Sequence, residues 1–162
     1  MITNFVLAGT GLYVTTNDYV TQSPYTFLCW AATSVSMVQT KNINTDVVTH
    51  VTSALGTFRD TARERSLIAN DFNSLYNISA TLTGTLSVST IRTHMAVNKP
   101  IYASVNWFTG GGHGVAISGI DILGDNGLRI MDPAYGWQYP SYDSFKTNYL
   151  GAGFWAQSIF WN

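Results

Sequence analysis

Charge is the scarcest ingredient of this 162-residue chain: Asp, Glu, Lys and Arg together make up 10% of it, against about 25% in an average soluble protein. Eight basic and nine acidic residues leave a net charge of −1. No cationic surface fit for a phosphate backbone or an anionic lipid sheet can be built from that set, so neither nucleic acid nor membrane is expected as a partner. Long apolar runs are lacking as well, and none approaches the roughly 18 residues of a membrane helix. Met1–Gly9 carries no positive charge and too short an apolar stretch for a signal peptide. The chain is therefore expected to stay in the cytoplasm, to leave by a signal-independent route, or to have had a leader removed. Cysteine occurs once, at Cys29, which excludes an intrachain disulfide and a multi-cysteine metal site. No metal or cofactor is expected.

Apolar residues are plentiful, at 46% with 14% aromatic, and the length suits a single domain over residues 1–162 with a sizeable core. Residues 1–28 show turn-forming residues and no clear period. Cys29–Thr40 reads as a helix, free of proline and glycine, with Trp30, Ala31, Val35, Met37 and Val38 crowding one side. A second helix is predicted from Thr45, with Asp46 in its first turn, to a stop at Gly56. A third is predicted over about Asp60–Leu75, and a fourth over Ser89–Asn98, ended by Pro100.

The pattern then changes. Pro100–Trp107, Gly114–Leu123, Leu128–Met131 and Phe154–Phe160 are short β-branched or aromatic runs, and Asp125-Asn-Gly127 signals a tight turn between two of them. Helices up to about residue 98 followed by strands to the end make an α+β fold, read as a helical lobe and a β lobe.

Three polar residues stand out by their settings. Cys29 lies at a predicted helix start, where free backbone N–H groups and the positive end of the helix dipole favour a thiolate. Taken alone it reads rather as a small buried hydrophobe, as most free cysteines are. His113 lies in Gly110-Gly-Gly-His-Gly114 ahead of an apolar strand, where glycines permit a sharp turn and the close approach of a substrate. A histidine held there suits a general base, and taken alone it reads equally as a loop histidine in a flexible glycine-rich turn. His50 and His94 sit on predicted helices in ordinary surface or half-buried roles. Asp132 ends the next strand, in Ile-Met-Asp-Pro133, where its carboxylate can accept an imidazole N–H, although Asp-Pro is also a common turn dipeptide. Together, a cysteine, a later histidine and then a carboxylate form the order of a thiol nucleophile, its base and the group that orients the base.

Gln22 followed by Cys29-Trp-Ala-Ala32 resembles the opening of papain-like cysteine proteases, and looks most like the bacterial branch that includes type III effector proteases of plant pathogens. It is less close to the leader-cleaving peptidases of bacteriocin exporters. Lys99-Pro-Ile-Tyr-Ala-Ser, Trp107, Gly-Gly-Gly-His113, Val-Ala-Ile-Ser-Gly119, Asp132-Pro-Ala-Tyr-Gly136, Tyr142-Asp-Ser-Phe145 and Tyr149…Gly153-Phe-Trp155 continue in the order of that branch, so the similarity spans Gln22 to Trp155. The resemblance implies a papain-like cysteine endopeptidase with Cys29 as nucleophile, His113 as base and later acid, and Asp132 as orienter. Gln22 and the backbone N–H of Cys29 would form the oxyanion hole. Gln22 stands seven residues before Cys29, where the family has six or five, and the Ser23-Pro24 region is where an extra residue would be absorbed. The resemblance further implies a protein or peptide substrate and a bacterial effector or toxin, secreted or delivered into a target cell. Trp137 reads as core packing. Competing readings of the same residues are a Cys-His amidase or acyl transferase acting on peptidoglycan or another amide, and a catalytically inactive binding domain.

Overall fold

The computed structural model describes residues 11–15 and 17–162, so the Met1–Gly9 stretch, read as too short and uncharged for a signal peptide, lies outside it. Among the described residues, seven strands form one antiparallel sheet: β1 (Gly11–Tyr13), β2 (Ala80–Thr83), β3 (Ile101–Trp107), β4 (Gly112–Asp121), β5 (Leu128–Asp132), β6 (Gly136–Gln138) and β7 (Gly153–Trp161). Their order is β2-β7-β3-β4-β5-β6, with β1 paired to the far end of β4. Five α-helices accompany them: α1 (Cys29–Val38), α2 (Val47–Leu55), α3 (Arg65–Tyr76), α4 (Val88–Ala96) and α5 (Tyr142–Thr147). The architecture is α+β, as expected.

Strand alternation divides the core in two. Tyr102, Ala116, Met131 and Ile159 point to a cluster with Trp30, Ala31 and Met37 of α1, Val51 of α2, and Ile68 and Phe72 of α3. The alternate residues Ile101, Ala103, Val105, Val115, Ile117 and Ile130 meet Ile91 and Met95 of α4 and Phe145 of α5. Burial on both faces explains why these strands read as continuous apolar runs rather than as an apolar-polar alternation.

The punctuation residues act largely as their chemistry dictates. Asp46 caps α2, its carboxylate accepting from the Thr49 N–H at 2.8 Å, and Gly56 follows in the left-handed conformation at φ 77°. The first helix ends at Val38 and continues as one 3-10 turn over Gln39–Lys41. Helix α4 stops at Ala96, short of the expected Asn98, because Asn98 takes φ 60° and the Lys99 N–H folds back to the His94 carbonyl. Six residues join β4 to β5, more than a two-residue hairpin, with Asn126 at φ 56° and its side chain held by Arg92 at 2.6 Å. Strand β4 also begins two residues before the expected Gly114, since Asn106 pairs with Gly112.

The third helix differs most, beginning at Arg65 rather than Asp60. The Asp60 carboxylate caps no helix. It accepts the N–H groups of Thr26 and Phe27 at 2.9 and 2.8 Å, and the Thr61 carbonyl accepts from the Trp30 indole at 2.9 Å. Residues 60–64 thus form no helix, and Asp60 and Thr61 are tied to the residues flanking Cys29. Strands β1 and β2 fall in the stretch expected to be helical, and α5 falls among the strands; β6 is a further three-residue addition. No helix among the described residues is long and apolar enough to cross a membrane.

Candidate active site

Antiparallel pairing brings four strand termini to one end of the sheet: the end of β3 at Trp107, the start of β4 at Gly112, the end of β5 at Asp132 and the start of β7 at Gly153. The N-terminus of α1 arrives at the same end, where the Thr33 hydroxyl donates to the Gly114 carbonyl at 2.9 Å. Cys29, 84 positions upstream of His113 in the chain, thereby comes to line the same cleft as the imidazole.

The His113 Nε2 lies 2.7 Å from Asp132 Oδ1. That leaves the other ring nitrogen for the thiol. Trp107 stacks on the imidazole at 5.4 Å between ring centroids, and the edge of Tyr135 closes it at 6.1 Å. The Asp132 side chain is wholly buried and accepts three further hydrogen bonds: from the Ala134 and Tyr135 N–H groups at 2.9 and 3.1 Å, and from the Tyr149 hydroxyl at 2.7 Å. Such a saturated carboxylate has little freedom to turn.

Burial by itself would favour a neutral His113. The hydrogen bond to Asp132, the interaction with Cys29 and the negative charge of Asp132 override it and raise the imidazole from its ordinary 6.5 to about 9. For Asp132, burial pushes the carboxyl up, but the hydrogen bond and charge of His113, with the Tyr149 and Ala134 donors, hold it below the usual 3.8. Burial and the Asp132 charge drive the Tyr149 phenol far above 10, so it remains a donor. The pair is accordingly imidazolium and carboxylate through neutral pH.

A cleft of about 420 Å³ opens over this group, lined among others by Gln22, Cys29, Arg65, Tyr102, His113 and Tyr135. Its floor admits no side chain at position 114, because a Cβ on Gly114 would overlap the buried Tyr102 hydroxyl. Gln22 is tied to the Asp132 region through its N–H, which donates to the Pro133 carbonyl at 3.0 Å. Its Nε2 donates to Thr26 O at 2.9 Å and Tyr25 O at 3.3 Å, while its buried Oε1 has no partner. The Ser23–Pro24 peptide in this turn is cis.

The other histidines stand apart. His50 is more buried than expected: it is 1% exposed, its Nδ1 is 2.5 Å from the Tyr76 hydroxyl, and burial followed by the Arg63 charge lowers it to about 4. His94 is half-buried against the edge of Phe160. Trp137 packs on the core beneath the Arg129 guanidinium. Sequence reasoning missed Tyr149, Asp60 and Arg65, and gave Trp107 and Tyr102 no role. Their partners are set by sheet register and loop wrapping, for which the local sequence carries no sign.

A family model described as the Peptidase_C39 like family matches residues 18–158. Among solved structures, a C39-like peptidase from Bacillus anthracis is similar at a TM-score of 0.69 and 12% identity, covering 94% of this chain and 97% of its own. A double glycine motif protease from an AMS/PCAT transporter, solved with the leader peptide, is similar at 0.58 and 15%, covering 92% and 96%. UfSP from C. elegans is similar at 0.56 and 14%, covering 98% of this chain and 35% of its own. At these identities the likeness is one of fold. No curated protein matches the sequence.

Proposed function

Starting from the chain's membership of the Peptidase_C39 like family, a family of cysteine proteases, we propose that it is an endopeptidase working through Cys29, His113 and Asp132. One observation carries the assignment: a lone thiol at a helix N-terminus shares a cleft with an imidazole that a buried carboxylate orients and keeps protonated. The Cys29 thiolate attacks the peptide carbonyl, and His113 gives its proton to the departing amine. The resulting thioester is then hydrolysed by a water that His113, now neutral, deprotonates, which releases the acid and restores Cys29.

Gln22 and the Cys29 N–H serve the oxyanion in this reading. Gln22 borders the same cleft, and its 3.3 Å bond to the Tyr25 carbonyl is the longer of two, so this N–H is the one that turns to a developing negative charge. Gln22→Ala is expected to lower kcat by about a hundredfold; a change under threefold removes Gln22 from the machinery. The main test is incubation of the full chain with a proteome-derived peptide library, read by mass spectrometry, with Cys29→Ala as control. Cuts within peptide chains that vanish in the control are expected, whereas cuts confined to non-peptide amides, or none, overturn the reading.

The reading extends to a bacterial effector or toxin acting outside the producing cell. Its support is the resemblance to the effector branch and a composition low in charge. Fractionation of the producing culture is expected to recover the protein outside the cells or in a recipient, and retention in the cytoplasm under all conditions would remove this part alone.

A further inference from the structure

Arg65 opens α3 and reaches across the cleft to the sheet. Its Nη1 donates to Gln157 Oε1 of β7 at 2.7 Å, and its Nη2 donates to Asn106 Oδ1 of β3. Both acceptors are neutral amides. Among the described residues the ion pairs are Arg63 with Asp71 and His113 with Asp132, and residues 1–10 and 16 contain no Asp or Glu. No carboxylate of this chain therefore lies against the Arg65 guanidinium, although it is half-buried. A cation partly withdrawn from water without a counter-charge is costly, and the two amide oxygens offset that only in part.

This uncompensated charge lies in the cleft itself. Arg65 lines the same cavity as Cys29 and His113, and its Nη2 is 3.7 Å from where a Cβ on Gly112, the residue before His113, would stand. The Tyr102 phenol beside it is driven up by burial and by Cys29, and is pulled back by Arg65, so the Arg65 charge is felt near the nucleophile. Asn106 and Gln157 engage two of the five guanidinium donors and fix the plane of the fork. The remaining donors suit a planar, bidentate acceptor.

We propose that Arg65 is a specificity residue that receives a carboxylate of the substrate peptide flanking the scissile bond. The inference rests on the peptidase reading. Carboxylates are the anions of an unmodified peptide at neutral pH, and two sources share that chemistry: an internal Asp or Glu side chain and the chain-terminal α-carboxylate.

Cleavage profiling of the wild-type protein distinguishes them. With an internal carboxylate, Asp and Glu are enriched at one fixed position beside the cut, and a Glu peptide exceeds its Gln counterpart by about tenfold in kcat/KM, chiefly through KM. With a terminal carboxylate, cuts fall at a fixed distance from the peptide C-terminus and disappear on amidation. Either preference is expected to vanish in Arg65→Gln and to survive in part in Arg65→Lys. Cuts with neither preference, or a preference that persists in Arg65→Gln, overturn the inference and leave the peptidase reading standing. Absence of any cleavage overturns both. Because the wild-type profile alone can refute it, a variant that fails to fold does not shield the inference.

Discussion

Alanine at position 113 is expected to silence Cys29 in acid. Wild-type Cys29 should be labelled by iodoacetamide at pH 5, because a neighbouring imidazolium makes a thiol more reactive. The imidazolium is available, since His113 is raised to about 9. Without it, an ordinary thiol ionises near 8.5, so labelling of His113→Ala at pH 5 should fall by about a hundredfold or more and recover only toward pH 8–9. Cys29 is the only thiol in the chain, and intact mass reports on it without mapping. Peptide cleavage should fall by about 10⁴-fold or more, as when one member of a nucleophile–base unit is removed. If the proposed mechanism holds, activity is expected to fall above about pH 9, where His113 loses the proton that the leaving amine would require. Identical labelling profiles in the two proteins would mean that the thiol and imidazole do not act as a pair.

Cys29, His113 and Asp132 were legible because each has a local setting: a helix start, a glycine-flanked strand start and a strand end before proline. Helix α2 was legible for the same reason, between the Asp46 cap and Gly56. The elements that escaped detection have no such marks. Strands β1 and β6 are three residues long and β2 is four, too short to show a period. Strand β2 exists through its register with β7, Ala80 opposite Trp161. Asp60 looks like a helix-starting residue, and it failed to start one because its carboxylate is committed to Thr26 and Phe27, 34 and 33 positions away. Tyr149 and Arg65 likewise take their meaning from Asp132, Asn106 and Gln157, which only the folded sheet brings to them.

Asp132 ties the chemistry to the stability of the fold. It is wholly buried and receives four hydrogen bonds, so Asp132→Ala strands the Tyr149 hydroxyl, the Ala134 and Tyr135 N–H groups and the His113 imidazolium at once. Loss of one partner of such a buried pair costs about 3–5 kcal/mol, which urea denaturation monitored by tryptophan fluorescence should register. Asp132→Asn keeps the shape, with its oxygen toward the three N–H donors and its NH₂ toward the Tyr149 hydroxyl, but withdraws the negative charge that faces the His113 imidazolium. It should unfold at lower urea than wild type and lower kcat by orders of magnitude.

The pH dependence separates the charge from the shape. The folded pKa of His113, raised to about 9, makes its contribution complete below 6.5 and lost as pH rises through 9. The Asp132 pKa is lowered, so its contribution is complete above 3.8 and lost as pH falls through the folded value. Wild-type stability should therefore decline between pH 6.5 and 9 by about 3 kcal/mol on account of this pair. In Asp132→Asn the carboxylate that heads the causes raising His113 is gone while Cys29 remains, so that decline should become smaller. An undiminished slope in the variant would show that Asp132 does not hold the proton on His113, and would return it to the role of a turn residue before Pro133.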